Sequence, residues 1–523
     1  MSDTEHGQYS IWQPSEQISD RIKQLRDFYF MGNAREWNNE VACFSTGTAW
    51  DITWNPRNYF IVPDVYFFMR GFMHACTETA THLPLPDGFW TLSLPERKAT
   101  FLRLAMVNYL SKDQNILDGE LLAGGKFNTA LSKCLTAAEG KQHGKNLNRD
   151  FARSFWLNDR GIGNAGATGG HLIPDYPRAL KIGFKGIYEE LQKFHDSTPA
   201  KEKKKKAQLR AMMISAQMVK EISENYAREA AQRAEQEADP QRKDELIQLA
   251  QICQKVPWEP AETFWEALQA LWVIHMLVLA DESYPGPGVS FGRIDQYLWP
   301  YYKKDVIDEG TITREFAKEL WSNFSIKCNY AYDYQMRVGS KQGITAGFGQ
   351  LYTLSGCGPN GEDLSNDLTF LMLEVIEDLN MLEPKPNVRL HKNTPEEVLD
   401  KVVSMVSKAQ GAPFLLNFDE RSMGALAKMN LPKDRLWDYA PVGCLENTLQ
   451  GDDRSGTVDV NLNLAKAVEL ALFNGVDLFT GKQNKAGVAK PMQIGPKTGI
   501  PLCSPLLTSS GMLLQRRCKT SSR

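Results

Sequence analysis

The sequence predicts an α/β fold, a parallel sheet or barrel with helices packed outside it. Two observations carry this. After residue 285, short apolar runs alternate with stretches of helical periodicity, the pattern of strands joined by crossover helices. Before that point the chain is mainly helical, and neither an internal repeat nor a flexible linker interrupts it, so one continuous domain is expected.

Residues 15 to 125 read as helices joined by aromatic-rich loops such as FYFMGNAREWNNE. A glycine-rich loop, LNDRGIGNAGATGGHLIPDY, precedes PRALKIGFKGIYEELQKFH, whose apolar positions recur at helical spacing. Two long helices follow, broken near Asp239-Pro240. The lysine run at 201–206 is a solvated helix start rather than a nucleic-acid patch, because no aromatic residues interleave it. Pro260 sits near the start of the next helix, where proline is tolerated. The most apolar run, ALQALWVIHMLVLA at 267–280, is short for a membrane span and carries Gln269 and His275, so it reads as a buried core helix. The alternating region then runs ITAGFGQLYTLSGC, LSNDLTFLMLEVIEDL, PNVRLH, TPEEVLDKVVSMVSKAQ and APFLLNF. Thr394, with Glu396 and Glu397 after it, is a candidate helix cap.

Composition excludes several classes. The 523 residues are 42% apolar and 24% charged, an ordinary globular balance. A net charge of −3 argues against nucleic acid or an anionic membrane as the main partner. Nine cysteines without a CxxC pair or zinc spacing favour a reduced, cytoplasmic protein. MSDTEHGQYSIWQPSEQ has neither a basic start nor an apolar core, so it is not a signal peptide.

One motif carries chemistry, Gly443-Cys444-Leu445-Glu446-Asn447. On an extended loop, Cys444 and Glu446 would point the same way. A thiol that gives up a hydrogen atom beside a carboxylate that moves a proton suits radical chemistry on a small polar substrate. A thiyl radical is neutral, so burial does not penalise it as it would a thiolate. Burial raises a carboxyl from near ~4.3, which makes it a better base near neutral pH. Taken alone, Cys444 is equally one more buried thiol.

GGHLIPDYPRALKIGFKGI, VSFGRIDQYLWPYYKKD, LSNDLTFLMLEV, PNVRLH and the Cys loop followed by NLAKAVELALFNG stand in an order that resembles the glycyl radical enzymes of the pyruvate formate-lyase superfamily. The resemblance runs from about residue 150 to 500. It implies a ten-stranded α/β barrel surrounded by helices. Cys444 is then the thiyl site that takes a substrate hydrogen, and Glu446 the base on a neighbouring hydroxyl. His171 matches a histidine that contacts substrate hydroxyls in the family's diol dehydratases, although a lone histidine after glycines is equally a loop or capping residue. Thr457 and Asp459 lie where family members place a polar substrate contact; the family's Asp falls at Val458. Arg293 and Asp295 match a GRxDQ segment and are read as pairing to hold a loop. The family binds no cofactor. Its glycyl radical is installed by a partner radical-SAM activase, and the assembly state is open to a homodimer.

The departures narrow the function. Gly443 stands where pyruvate formate-lyase has a second cysteine, which disfavours thiolytic pyruvate cleavage. Asn447 replaces a frequent proline. Pro287-Gly288 replaces a His-Ser pair of some diol dehydratases, which suggests a pocket opened for a substrate larger than glycerol. No RVxGY-like loop appears, and Arg337-Val338-Gly339-Ser340 is only a lookalike far upstream. From about residue 500 the text loses periodicity. Moving the frame by one base, with suitable wobble bases, regroups Ser510–Arg523 as FWNAFATQMQDLIK, an amphipathic helix of the kind the family places next. The expectation is a family domain over 1–499, incomplete at its C-terminus, an out-of-frame tail over 500–523 in which Cys503 and Cys518 are accidental, and no glycine radical domain. The function expected is a dehydratase or C–O lyase on a polyol or sugar-like substrate. The alternatives are an arylacetate decarboxylase, a formate acetyltransferase-like enzyme, or a non-catalytic fragment that binds a substrate or partner. Exposed apolar surface and poor solubility are expected of an incomplete barrel.

Overall fold

The structure, a computed structural model, describes residues 15–26, 85–112, 115–125, 135–142, 144–146, 149, 161–165, 171–281, 288–331, 350–381, 384–407, 415–429, 431–443, 445–452, 460–478 and 481–483. Eight strands are described: β1 (Gly163–Ala165), β2 (Gly292–Arg293), β3 (Leu351–Ser355), β4 (Lys385–Leu390), β5 (Leu415–Phe418), β6 (Tyr439–Val442), β7 (Glu446–Leu449) and β8 (Val460–Leu462). The chain divides into two compact units, one of residues 1–136 with 169–455 and one of 137–168 with 456–523.

In the first unit, β2-β3-β4-β5 form a four-stranded sheet, every pairing parallel. Helices Arg314–Ala331, Asp367–Leu379 and Glu396–Ser407 occupy the crossovers, as the alternating pattern predicts. Asn366 caps the second of these, its side chain accepting from Thr369 N. Thr394 does something else: its hydroxyl accepts from His391 N at 2.8 Å, which closes the turn after β4.

The helical layer follows the sequence closely. Asp239 caps helix Pro240–Lys255, with proline at its first position. The apolar run forms helix Phe264–Asp281 in the middle of the main core, against Trp321, Phe324 and Phe291. Its polar residues are satisfied. Gln269 exchanges hydrogen bonds with the backbone of Ala123 at 2.8 and 3.0 Å. His275 takes up Tyr176 Oη at 2.8 Å and Gln350 Oε1 at 2.6 Å. Burial drops the His275 pKa to about 3, so the imidazole is neutral.

In the second unit β1 pairs antiparallel with β8, and Asn463 caps helix Leu464–Leu472. Leu464, Val468 and Leu472 of that helix are exposed, a single apolar stripe at i, i+4 and i+8. The tail at 500–523 and Arg337–Ser340 lie outside the described residues.

Candidate functional site

The site is built on a hairpin. β6 and β7 pair antiparallel with Val442 opposite Glu446, and Gly443 and Leu445 lie beyond that pair at its tip. Gly443 has φ +54° and Leu445 φ +80°. Neither residue has extended backbone. Left-handed φ costs a glycine little, but it strains Leu445. Cys444, Thr457 and Asp459 lie outside the described residues.

Loop 171–175 flanks the hairpin. His171 is 3% exposed, with φ +54°. Ile173 packs with Ala440 and Val442 in a small buried cluster, and its carbonyl accepts from Gly451 N at 3.0 Å. Both strands of the hairpin are thereby tied to the loop that carries His171. His171 Nδ1 lies 3.6 Å from Glu446 Oε2, within ion-pair reach but longer than a hydrogen bond. That nitrogen is buried and has no hydrogen-bond partner among the described residues. A hydroxyl oxygen roughly 2.8 Å from each atom, an ordinary hydrogen-bond length, would complete the triangle.

Two glycines make room for the imidazole. A Cβ at Gly443 would run into the His171 ring, 2.5 Å from Nδ1. A Cβ at Gly288 would sit 2.8 Å from His171 Cδ2 and 2.9 Å from Gly443 Cα. The position beside Cys444 therefore cannot carry a second cysteine without displacing His171. Gly288 does not open a pocket either, because the imidazole already fills the space its missing side chain leaves.

Ser290 joins these pieces. Its hydroxyl accepts from Gly443 N and from Leu351 N, both at 3.2 Å, and lies 3.2 Å from Gly288 O. The other end of β6 is held by a buried latch. Arg389 on β4 grips Asp419 with Nε at 2.8 Å and Nη2 at 3.0 Å, and donates through Nη1 to Tyr439 O at 2.9 Å. Tyr439 Oη and Cys357 N also donate to Asp419. Burial pushes the Asp419 carboxyl up, but these donors outweigh it and hold the pKa below the ordinary value. Arg293 and Asp295 do not pair with each other. Arg293 donates to the carbonyls of Trp437 and Ser355, each at 3.2 Å, while Asp295 accepts from Ser355 N at 2.7 Å and Thr369 Oγ1 at 2.6 Å. Both brace Ser355 at the end of β3, and each ties it to a second neighbour, Arg293 to the Trp437 carbonyl and Asp295 to Thr369. Reasoning from sequence did not find Ser290 or the Arg389–Asp419–Tyr439 latch. An arginine inside the apolar strand PNVRLH was the available signal, since a charge buried in a strand needs a partner.

A crossover sheet beside a hairpin of this kind has counterparts among the glycyl radical enzymes. The solved glycyl radical enzyme from Archaeoglobus fulgidus superposes with a TM-score of 0.67 at 26% identity, over 89% of this chain and 60% of that one. The family described as pyruvate formate lyase-like matches residues 159–498, and the chain belongs to it. Among curated relatives, the (2S)-3-sulfopropanediol dehydratase of Klebsiella oxytoca is 32% identical over 338 residues, 64% of this chain and 39% of that protein. The isethionate sulfite-lyase of Oleidesulfovibrio alaskensis is 32% identical over 334 residues, 63% and 39% respectively. The chain thus spans well under half the length of these two relatives. Their names place them among dehydratases and lyases. The described strands form a four-stranded parallel sheet and two antiparallel pairs.

Proposed function

We propose that the chain supplies the Cys–Glu loop of a glycyl radical dehydratase or C–O lyase acting on a polyol or sugar-like substrate, with residues 1–499 as its catalytic domain. The observation that carries this reading is the buried, unpartnered Nδ1 of His171 facing the Glu446 carboxylate across 3.6 Å, a place for one substrate hydroxyl. Radical activation by a radical-SAM activase supplies the unpaired electron that Cys444 uses. Cys444 takes the hydrogen atom from the hydroxyl-bearing carbon. Glu446 takes the hydroxyl proton while His171 holds the oxygen. The leaving group departs from the adjacent carbon with its electron pair and receives that proton. Cys444 then returns the hydrogen atom to the adjacent carbon, from which the leaving group departed, giving an aldehyde or ketone. Thr457 and Asp459 are assigned to the polar end of the substrate. A histidine, rather than a second carboxylate, facing Glu446 favours elimination over arylacetate decarboxylation. Gly443, enforced by His171, disfavours pyruvate cleavage.

The test is anaerobic incubation with an activase, following radical formation by electron paramagnetic resonance and carbonyl product by hydrazine trapping from vicinal polyols and hydroxysulfonates. Carbonyl product that disappears in Glu446→Gln is expected. Carbon dioxide from arylacetates, or product undiminished in Glu446→Gln, would overturn the reading.

A further inference from the structure

Three side chains stand in one row across the parallel sheet. Arg293 on β2 is in register with Thr353 on β3, and Thr353 with Asn387 on β4. Residues directly opposite in register project from the same face, and neighbouring strands lie about 4.8 Å apart. All three are 0–1% exposed. Each carries a buried polar atom with no hydrogen-bond partner among the described residues: Arg293 Nε, Thr353 Oγ1 and Asn387 Nδ2. Buried orphans of this kind are few in native proteins, and three side by side call for a ligand.

Hydrogen bonding sets the polarity of the row. Ser422 Oγ donates to Asn417 Oδ1 at 3.2 Å, which turns the Asn417 amide so that its Nδ2 donates to Asn387 Oδ1 at 2.9 Å. The Asn387 Nδ2 is therefore left as a donor. Arg293 Nε is a donor by nature, and the Thr353 hydroxyl can donate. Charge points the same way. Arg389 stands on the same face two residues beyond Asn387, but its partner Asp419 is saturated by Arg389, Tyr439 and Cys357. The ion pair of Arg293 is with Asp438, at 3.4 Å and partly exposed, and Asp295 turns one oxygen to Ser355 and Thr369. The row also lies beside the hairpin: Arg293 N donates to Gln450 Oε1 at 3.2 Å, just past β7, and Ser290, three residues upstream, holds Gly443.

We infer that Arg293, Thr353 and Asn387 form an oxyanion subsite, which receives a sulfonate or carboxylate group. Naming that group as an end of the substrate rests on the proposed function; oxyanion binding by the row does not.

The experiment is a titration of the purified full chain with methanesulfonate and with acetate, with dimethyl sulfone as the neutral control, followed by calorimetry and by thermal stability. Saturable binding of at least one anion and none of the sulfone is expected. Thr353→Val keeps the shape and removes the hydroxyl, and should weaken anion binding about tenfold, the effect of one hydrogen bond to a charged group. Asn387→Asp turns the donor into an acceptor and should abolish binding. The titration needs neither activase nor radical, which keeps failure of the elimination chemistry separate from failure of the subsite. Absence of saturable anion binding by the folded parent chain overturns the inference, as does unchanged binding by a folded Thr353→Val. If Asn387→Asp does not fold, Thr353→Val alone decides.

Discussion

The two faces of the parallel sheet have opposite chemistry. One face presents Tyr352 and Leu354 from β3 and Val388 and Leu390 from β4, all within the main hydrophobic core. The other presents Arg293, Thr353, Ser355, Asn387, Arg389 and Asn417, with Leu415 at the far end of the row. Parallel sheets are usually buried and apolar on both sides. Arg293, Thr353, Ser355, Asn387 and Arg389 on the polar face are just as buried, so their side chains must answer one another or a ligand. Stability is concentrated on the apolar face and in the Arg389 latch, and unanswered hydrogen-bonding capacity on the polar row.

The largest expected effect is at the latch. Arg389→Leu leaves Asp419 buried without its cation and should cost about 3–5 kcal/mol in urea denaturation. A small loss there would break the view of the latch as the fixed end of the hairpin. On the apolar face Leu354→Ala should cost about 2–5 kcal/mol, depending on how far the cavity collapses. Acid titration tests the core beside that face. The His275 value of about 3 lies below the ordinary ~6.5, so between those values the unfolded chain binds a proton that the folded chain does not. The contribution is complete above about pH 6.5 and is lost as pH falls towards 3, at up to ~1.4 kcal/mol per pH unit. Denaturation of His275→Phe across this range should show a flatter slope, whatever its absolute stability. The smallest effect belongs to Thr353→Val. Its hydroxyl makes no internal hydrogen bond among the described residues, so the folded chain should change by less than about 1 kcal/mol. A large loss would mean that the hydroxyl is already satisfied within the fold.

The crossover pattern, the helix at 264–281 and the cap at Asp239-Pro240 were legible in the sequence because each rests on local periodicity or on a residue with one conformational use. The left-handed backbone of Gly443 and Leu445 was not legible, because Leu445 carries no sequence signal for such a φ. The same limit hid Ser290, an ordinary serine until two distant segments, at Leu351 and Gly443, meet at its hydroxyl. It also disguised Arg293 and Asp295, whose nearness in sequence suggested a pair that the sheet pulls apart.

The contact between Gly443 and His171 has a consequence for how this loop can change over generations. While the imidazole is in place, almost any side chain at 443 collides with it, so natural variation should be frozen at that position. Loss of the histidine would release it. A lineage moving from a single cysteine to an adjacent pair would have to give up the ring at 171 first. The order of those two steps, and not only their sum, is set by a contact between one ring and one backbone.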